Sequence, residues 1–174
     1  MNSKISSKPF LKWAGGKRWF VNNYSHFFPS KYNRYFEPFL GSASVFFYLE
    51  PRTSILSDIN LDLINTYKCI KSNWRLVQDY LSEHDIHHEN DYYYKIRSII
   101  FADKYKRAAQ FIYLNRTCWN GLYRVNLKGV FNVPIGSKEK VTLESDNFEL
   151  ISNKLKHSTI LSKDFEKVIL KSSK

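Results

Sequence analysis

Several stretches of this chain carry residue types and spacings suited to binding a nucleotide-like molecule. Tyr35-Phe36-Glu37-Pro38-Phe39-Leu40-Gly41-Ser42-Ala43-Ser44-Val45-Phe46-Phe47 reads as a short apolar strand, a turn of small residues and the start of an apolar helix. That order sets backbone N–H groups and a helix N-terminus at the carboxyl end of a strand, where α/β sheets bind such ligands. Seventeen residues after Gly41, Asp58 closes a second strand-like run, Thr53-Ser54-Ile55-Leu56-Ser57. An acid at that tip is placed to bind the hydroxyls of a ribose held over the first turn. A glycine turn after a strand is also simply a turn, and the pattern alone leaves both readings open.

Upstream, Lys8-Pro9-Phe10-Leu11-Lys12-Trp13-Ala14-Gly15-Gly16-Lys17-Arg18 mixes aromatic, basic and glycine residues too closely for a plain strand. A Trp beside a Gly-Gly turn, flanked by Lys, suits either capping of an adenine ring or an amino-terminal aromatic anchor. Downstream, Asn120-Gly121 marks a turn, and Leu122 to Asn126 and Val130 to Val133 flank a second one at Lys128-Gly129. Arg and Asn on such a hairpin bind guanine and adenine edges in a major groove, and Trp119 suits a wedge in a base stack. An ordinary hairpin with Asn in its turns is the competing reading. His84, His87 and His88 invite a zinc site, but two are adjacent and no further ligand set is evident, so a solvated loop is expected.

The elements that must position these residues follow from periodicity. Lys17 to Phe28 reads as a helix ended by Pro29, and Asn60 to Leu81 has Leu63, Ile64, Tyr67, Ile70, Trp74, Val77 and Leu81 at helical spacing. Tyr92 to Asn115 reads as one or two helices, Asn147 to Lys154 as another, Ser158 to Leu161 as a third strand and Lys163 to Leu170 as a last helix.

A chain of 174 residues suits one domain with an inserted part. Cys69 and Cys118 form neither a metal spacing nor a disulfide framework, no run of 18 apolar residues is present, and the first residues lack a secretory core, so a cytoplasmic protein is expected. Charge is the informative quantity. Seven basic residues and no acid precede Glu37, ten acids and six bases lie from Glu37 to Asp103, and eight bases face Glu139 alone from Lys104 to Lys140. Two basic blocks around an acidic middle point to a polyanionic partner rather than a mixed solubility face.

Taken together, Pro9-Phe10-Leu11-Lys12-Trp13-Ala14-Gly15-Gly16-Lys17, Phe36 to Gly41, Ser57-Asp58-Ile59-Asn60 and Leu114-Asn115-Arg116 through Phe131-Asn132-Val133-Pro134-Ile135-Gly136 resemble the Dam-type DNA adenine methyltransferases of the D12 class. The matching segments occur in the family's order, from Pro9 to about Ile169. The resemblance implies an α/β, S-adenosylmethionine-dependent methyltransferase (Rossmann-like) fold carrying an inserted helical and β-hairpin target-recognition subdomain. It divides the chain into a cofactor-binding part over 1–73, a DNA-binding subdomain over 74–144 and a return to the methyltransferase domain over 145–174. It implies methyl transfer from S-adenosylmethionine to adenine N6 in double-stranded DNA, at GATC or a related site. Residues carried over to the cofactor are Trp13, Lys17, Glu37, Pro38, Phe39, Gly41 and Asp58; those carried over to DNA are Lys12, Trp119, Asn120, Leu122, Arg124 and Pro134.

Two departures from the family pattern bear on function. Ala43 stands where many relatives have a second glycine, and its methyl is expected to crowd the methionine end of the cofactor. The family's catalytic Asp-Pro-Pro-Tyr is absent, because the five prolines (Pro9, Pro29, Pro38, Pro51, Pro134) include no adjacent pair. No catalytic residue is therefore assigned. The expectation is an amino-terminal portion of such an enzyme, truncated before that motif and unable to turn over alone. Its first strand is then left with an open edge for aggregation or a complementing polypeptide. A non-catalytic DNA-binding module is the rival.

Overall fold

The computed structural model describes residues 8–170; the expectations for the first residues and for Lys171 to Lys174 fall outside them. A parallel sheet of order β1-β2-β3 forms the base, with β1 Tyr35–Glu37, β2 Ser54–Asp58 and β3 Ser158–Ser162. Tyr35 pairs with Ser54, and Ser54 in turn with Ser158, where the two hydroxyls are 2.7 Å apart. The first strand is shorter than the apolar run predicts. Pro38 has no amide proton for a ladder, and the chain turns there, although Leu40 N–H still donates to Ser57 O at 2.8 Å. Among the described residues β1 pairs with β2 alone and is a sheet edge.

Helices α1 (Arg18–Tyr24) and α2 (Ser44–Leu49) flank the first strand, and a 3-10 turn over Ser25–Phe27 ends the expected first helix early. Helix α3 (Leu61–Ile86) begins where Asn60 Oδ1 accepts from Leu63 N–H at 2.9 Å, and buries Leu63, Ile64, Tyr67, Ile70, Val77 and Leu81 as the spacing requires. It runs past the expected end at Leu81, and the non-helical backbone of Asn73 (φ −157°, ψ 80°) interrupts it.

Helix α4 (Asn90–Ser98) leads to α5 (Lys104–Thr117), which Asp103 caps through the N–H groups of Tyr105 and Lys106. From Ala108 onward every residue of α5 is buried, so this helix is an axis of the molecule rather than a surface element. One hydrophobic cluster runs from Phe10 and Phe46 through Tyr67 and Leu81 to Ile112 and Phe148, spanning both sides of the boundary expected at Asn73. Helices α6 (Phe148–Leu155) and α7 (Phe165–Ile169) bracket β3.

The expected hairpin is present as an irregular one. Val125 and Phe131 form a single antiparallel bridge, Asn126 N–H donates to Val130 O, and the Asn126 side chain accepts from the N–H groups of Lys128 and Val130. Turn chemistry holds the tip, where two side-by-side strands were expected. No helix among the described residues is long and apolar enough to cross a membrane.

Candidate functional site

Two clefts meet at Trp13. The first, about 360 Å³, lies beyond the carboxyl ends of β1 and β2 and is lined by Trp13, Lys17, Glu37, Phe39, Gly41 and Asp58 among others. The turns after the two strands are tied together by one side chain. Asp58 Oδ2 accepts from Gly41 N–H and Asp58 Oδ1 from Asn60 N–H, both at 3.0 Å. The carboxylate therefore has backbone partners and still faces the cleft. Gly41 adopts φ +48°, and a Cβ there would stand 2.7 Å from Trp13 Cδ1, so glycine lets the indole lie flat on the turn. Of the residues carried over to the cofactor, Pro38 alone is not in the cleft wall.

Glu37 is the electrostatic centre of this cleft. Burial raises its carboxyl from the ordinary range to about 7, opposed by a hydrogen bond from Tyr35 Oη to Oε2 at 2.8 Å and by Lys17 nearby. The same burial and the Glu37 charge hold Tyr35 protonated far above its usual range.

The second cleft, about 410 Å³, shares Trp13, Ala14, Gly16 and Ser42 with the first and adds Lys12, Arg18, Asn120, Gly121 and Leu122. Three residues expected on the DNA side, Lys12, Asn120 and Leu122, thus line the cleft that adjoins the first across Trp13. Trp119 is 58% exposed beside them, its N–H donating to Pro134 O at 2.9 Å, and Pro134 is exposed too. Arg124 lies further out on the hairpin, exposed, with Nε donating to Asn132 Oδ1 at 2.9 Å.

Sequence reasoning missed the group that joins the clefts. Buried Asn115 accepts from Lys12 N–H (2.9 Å) and donates to Lys12 O (2.8 Å). Its amide also reaches Gly121 O at 3.4 Å. Gly121, at φ +65°, leaves room for the Lys12 side chain, which a Cβ would meet at 2.5 Å. Behind Trp13, the Tyr123 ring stacks at 5.5 Å and Phe111 lies at 6.2 Å. Asn115 lies in the Leu114-Asn115-Arg116 segment that carries the resemblance, and a buried amide needs partners, but nothing local names Lys12 as the partner.

Three expectations are corrected. Ala43 is fully buried in the core and absent from the cleft wall, so its methyl does not crowd a ligand there; it sits instead at φ +55°, a backbone state that favours glycine. Of the histidines expected in a solvated loop only His87 is exposed: His84 is buried on α3, its Nδ1 2.8 Å from Tyr92 Oη, and burial lowers its ring to about 4. His88 bridges Tyr113 Oη and Lys138 O. Arg116, counted in the second basic block, is buried and held bidentate by Asp146 at 2.6 and 2.7 Å, so that charge is internal.

Residues 13–174 match the family described as D12 class N6 adenine-specific DNA methyltransferase. Among curated relatives, the type II methyltransferase M1.LlaDCHI of Lactococcus lactis subsp. cremoris is 38% identical over 96% of this chain and 62% of its own. The type II methyltransferase M.MjaIII of Methanocaldococcus jannaschii is 41% identical over 91% of this chain and 63% of its own. The DNA adenine methylase of Haemophilus influenzae is 36% identical over 96% and 60%. The chain spans about three fifths of the length of these relatives.

Proposed function

This chain belongs to the D12 class N6 adenine-specific DNA methyltransferases, and from that premise we propose that it binds S-adenosylmethionine in the first cleft and double-stranded DNA across the second, at a GATC-type site. The observation that carries this reading is the shared wall: Trp13, Ala14, Gly16 and Ser42 line both clefts. A transferable group and its acceptor must come within bonding reach, and adjoining clefts are what such a reaction needs.

The residues present fit the cofactor. It carries a sulfonium, an ammonium, a carboxylate and a ribose, and the cleft offers the carboxyls of Glu37 and Asp58, the Lys17 ammonium and the Trp13 and Phe39 rings. When bound, S-adenosylmethionine supplies an electrophilic methyl group. Ionised Glu37 favours a cationic ligand, Asp58 faces hydroxyls while keeping the two strand turns together, and Trp13 forms the partition between donor and acceptor sides. Lys12, Trp119, Asn120, Leu122, Arg124 and Pro134 supply the DNA side. Arg124 is the reader of a guanine edge, and exposed Trp119 the wedge that holds open the space of an extruded adenine.

The 174 residues contain no Asp-Pro-Pro-Tyr and no other acid in such a context, and we assign no catalytic residue. These 174 residues by themselves then bind without turnover, and among the described residues the unpaired edge of β1 is open to a further strand that would complete the sheet.

The test is direct. The purified chain is expected to bind S-adenosylmethionine in equilibrium dialysis but to transfer no labelled methyl to a GATC-containing duplex. Incorporation should appear on adding a polypeptide that bears Asp-Pro-Pro-Tyr. No cofactor binding would overturn the site, and incorporation by the chain alone would overturn its incompetence.

A further inference from the structure

A third cavity, about 210 Å³, lies behind the recognition hairpin and shares no lining residue with the two clefts. Its inner walls are the rings of Phe111, Tyr123 and Phe131, with Tyr123 5.3 Å from Phe111 and 5.8 Å from Phe131. Such faces suit a flat ring.

Its polar groups are pre-set. Gln110, 8% exposed, donates both amide protons of Nε2 to backbone carbonyls, Ile96 O and Ile99 O, each at 2.7 Å. Two acceptors fix the amide orientation and leave Oε1 as an acceptor on a side chain that lines the cavity. Arg97 lines it too, and uses Nη1 on Val133 O at 3.0 Å, which holds its fork in place with further N–H groups on it. Arg107 and Asp62 are paired at 2.5 Å, so their charges offset each other, and Lys128 leaves the rim basic.

We propose that this cavity is a nucleobase site: one base lies against the aromatic wall, presents its donor and acceptor edge to Gln110 Oε1 and the Arg97 guanidinium, and leaves its phosphate on the rim. Every base carries a hydrogen-bond donor beside an acceptor on its pairing edge, matching an acceptor beside a donor in the wall. The base belongs either to a DNA strand passing the hairpin or to a free nucleotide. Because Val130 and Phe131 form part of the wall, an occupant also pins the hairpin that carries Arg124.

Calorimetric titration with deoxyadenosine 5′-monophosphate tests this, with deoxyribose 5-phosphate and inorganic phosphate as controls. The nucleotide should bind at least tenfold tighter than either control, and saturating S-adenosylhomocysteine should leave that binding unchanged. Val130 and Ile100 are 42% and 76% exposed at the mouth, so Val130→Trp and Ile100→Trp fill the entrance without disturbing the core. Each should weaken nucleotide binding at least tenfold while circular dichroism stays unchanged. A (dA)4 oligonucleotide that binds at least tenfold tighter than the monomer identifies a DNA strand as the source; equal binding identifies the free nucleotide. The proposal is overturned if the nucleotide binds no better than deoxyribose 5-phosphate, if both tryptophan variants bind it as the parent does, or if S-adenosylhomocysteine displaces it. Loss of S-adenosylhomocysteine binding itself would count against the first cleft only.

Discussion

The side chain of Asn115 holds both backbone polar atoms of Lys12, 103 residues earlier in the chain. The two hydrogen bonds imitate one rung of a strand ladder between an amide side chain and a loop. They fix the backbone just before Trp13, the residue common to both clefts, against the end of α5 and the Asn120-Gly121 turn. The two clefts therefore share one buried anchor.

Replacing Asn115 should disturb both sides together. Asn115→Ala leaves the Lys12 N–H and C=O without their partner, an expected loss of about 1–3 kcal/mol in urea unfolding. Dialysis against S-adenosylmethionine and gel-shift titration with duplex DNA should both show weaker binding. A loss confined to one ligand would show that the clefts are held independently.

Gly41→Ala isolates the cofactor side. The substitution carries the left-handed backbone penalty of about 1–2 kcal/mol and drives a methyl into Trp13 Cδ1, 2.7 Å from the ideal Cβ position. Gly129→Ala is the control, since φ is +75° there and nothing stands within 4 Å. Both variants should be less stable, but only Gly41→Ala should shift the tryptophan emission and weaken S-adenosylmethionine binding at least tenfold.

The parts of the fold legible in the sequence were those with a period or a cap. The apolar spacing of α3 and the strand-turn-helix around Gly41 and Asp58 reproduce the observed elements to within a few residues. What was not legible depended on long-range packing. Nothing local tells that Arg116 meets Asp146 in the interior, and a charge count assigns it to the surface. Ala43 looked like a cleft residue because it stands where many relatives have a second glycine, yet its side chain is buried in the core at a left-handed backbone position. The histidines looked solvated because two are adjacent and no ligand set accompanies them, whereas α3 itself stacks His84 on Tyr113 of α5, the turn after α3 sets His88 edge-on to the same ring, and only His87 stays exposed.

Two buried titratable groups should give opposite pH dependences of stability. Glu37 has its folded value raised to about 7, so between its ordinary range and 7 the folded state holds the extra proton, and stability falls as pH rises. His84 has its folded value lowered to about 4, so between 4 and its ordinary value near 6.5 the unfolded state holds the extra proton, and stability rises with pH. From about pH 4.5 to 6.5 the two contributions oppose each other. Glu37→Gln should unmask a rise with pH, and His84→Gln a fall, in urea midpoints taken at half-unit steps. Identical slopes in the two variants would refute the assignment. The same carboxyl predicts that S-adenosylmethionine, a cation, binds more tightly as pH rises through 7, and that Glu37→Gln abolishes this dependence.

Arg124 is the residue whose replacement should change sequence preference rather than overall affinity. Its Nε is held by Asn132 Oδ1 at 2.9 Å and its Nη2 lies 3.4 Å from Asn132 O, so the guanidinium is pre-set across the hairpin and exposed at its outer face. A fork held in this way loses less rotamer freedom on meeting a guanine edge. Arg124→Ala should lower discrimination at one guanine by about 1–3 kcal/mol, as for a bidentate contact. Asn132→Ala frees the fork without removing it and should produce a smaller loss at the same position. Binding titrations on duplexes changed one base pair at a time read both effects. An equal loss on every sequence would make Arg124 a phosphate contact, and its variant would then also reduce the salt dependence of binding by about one unit.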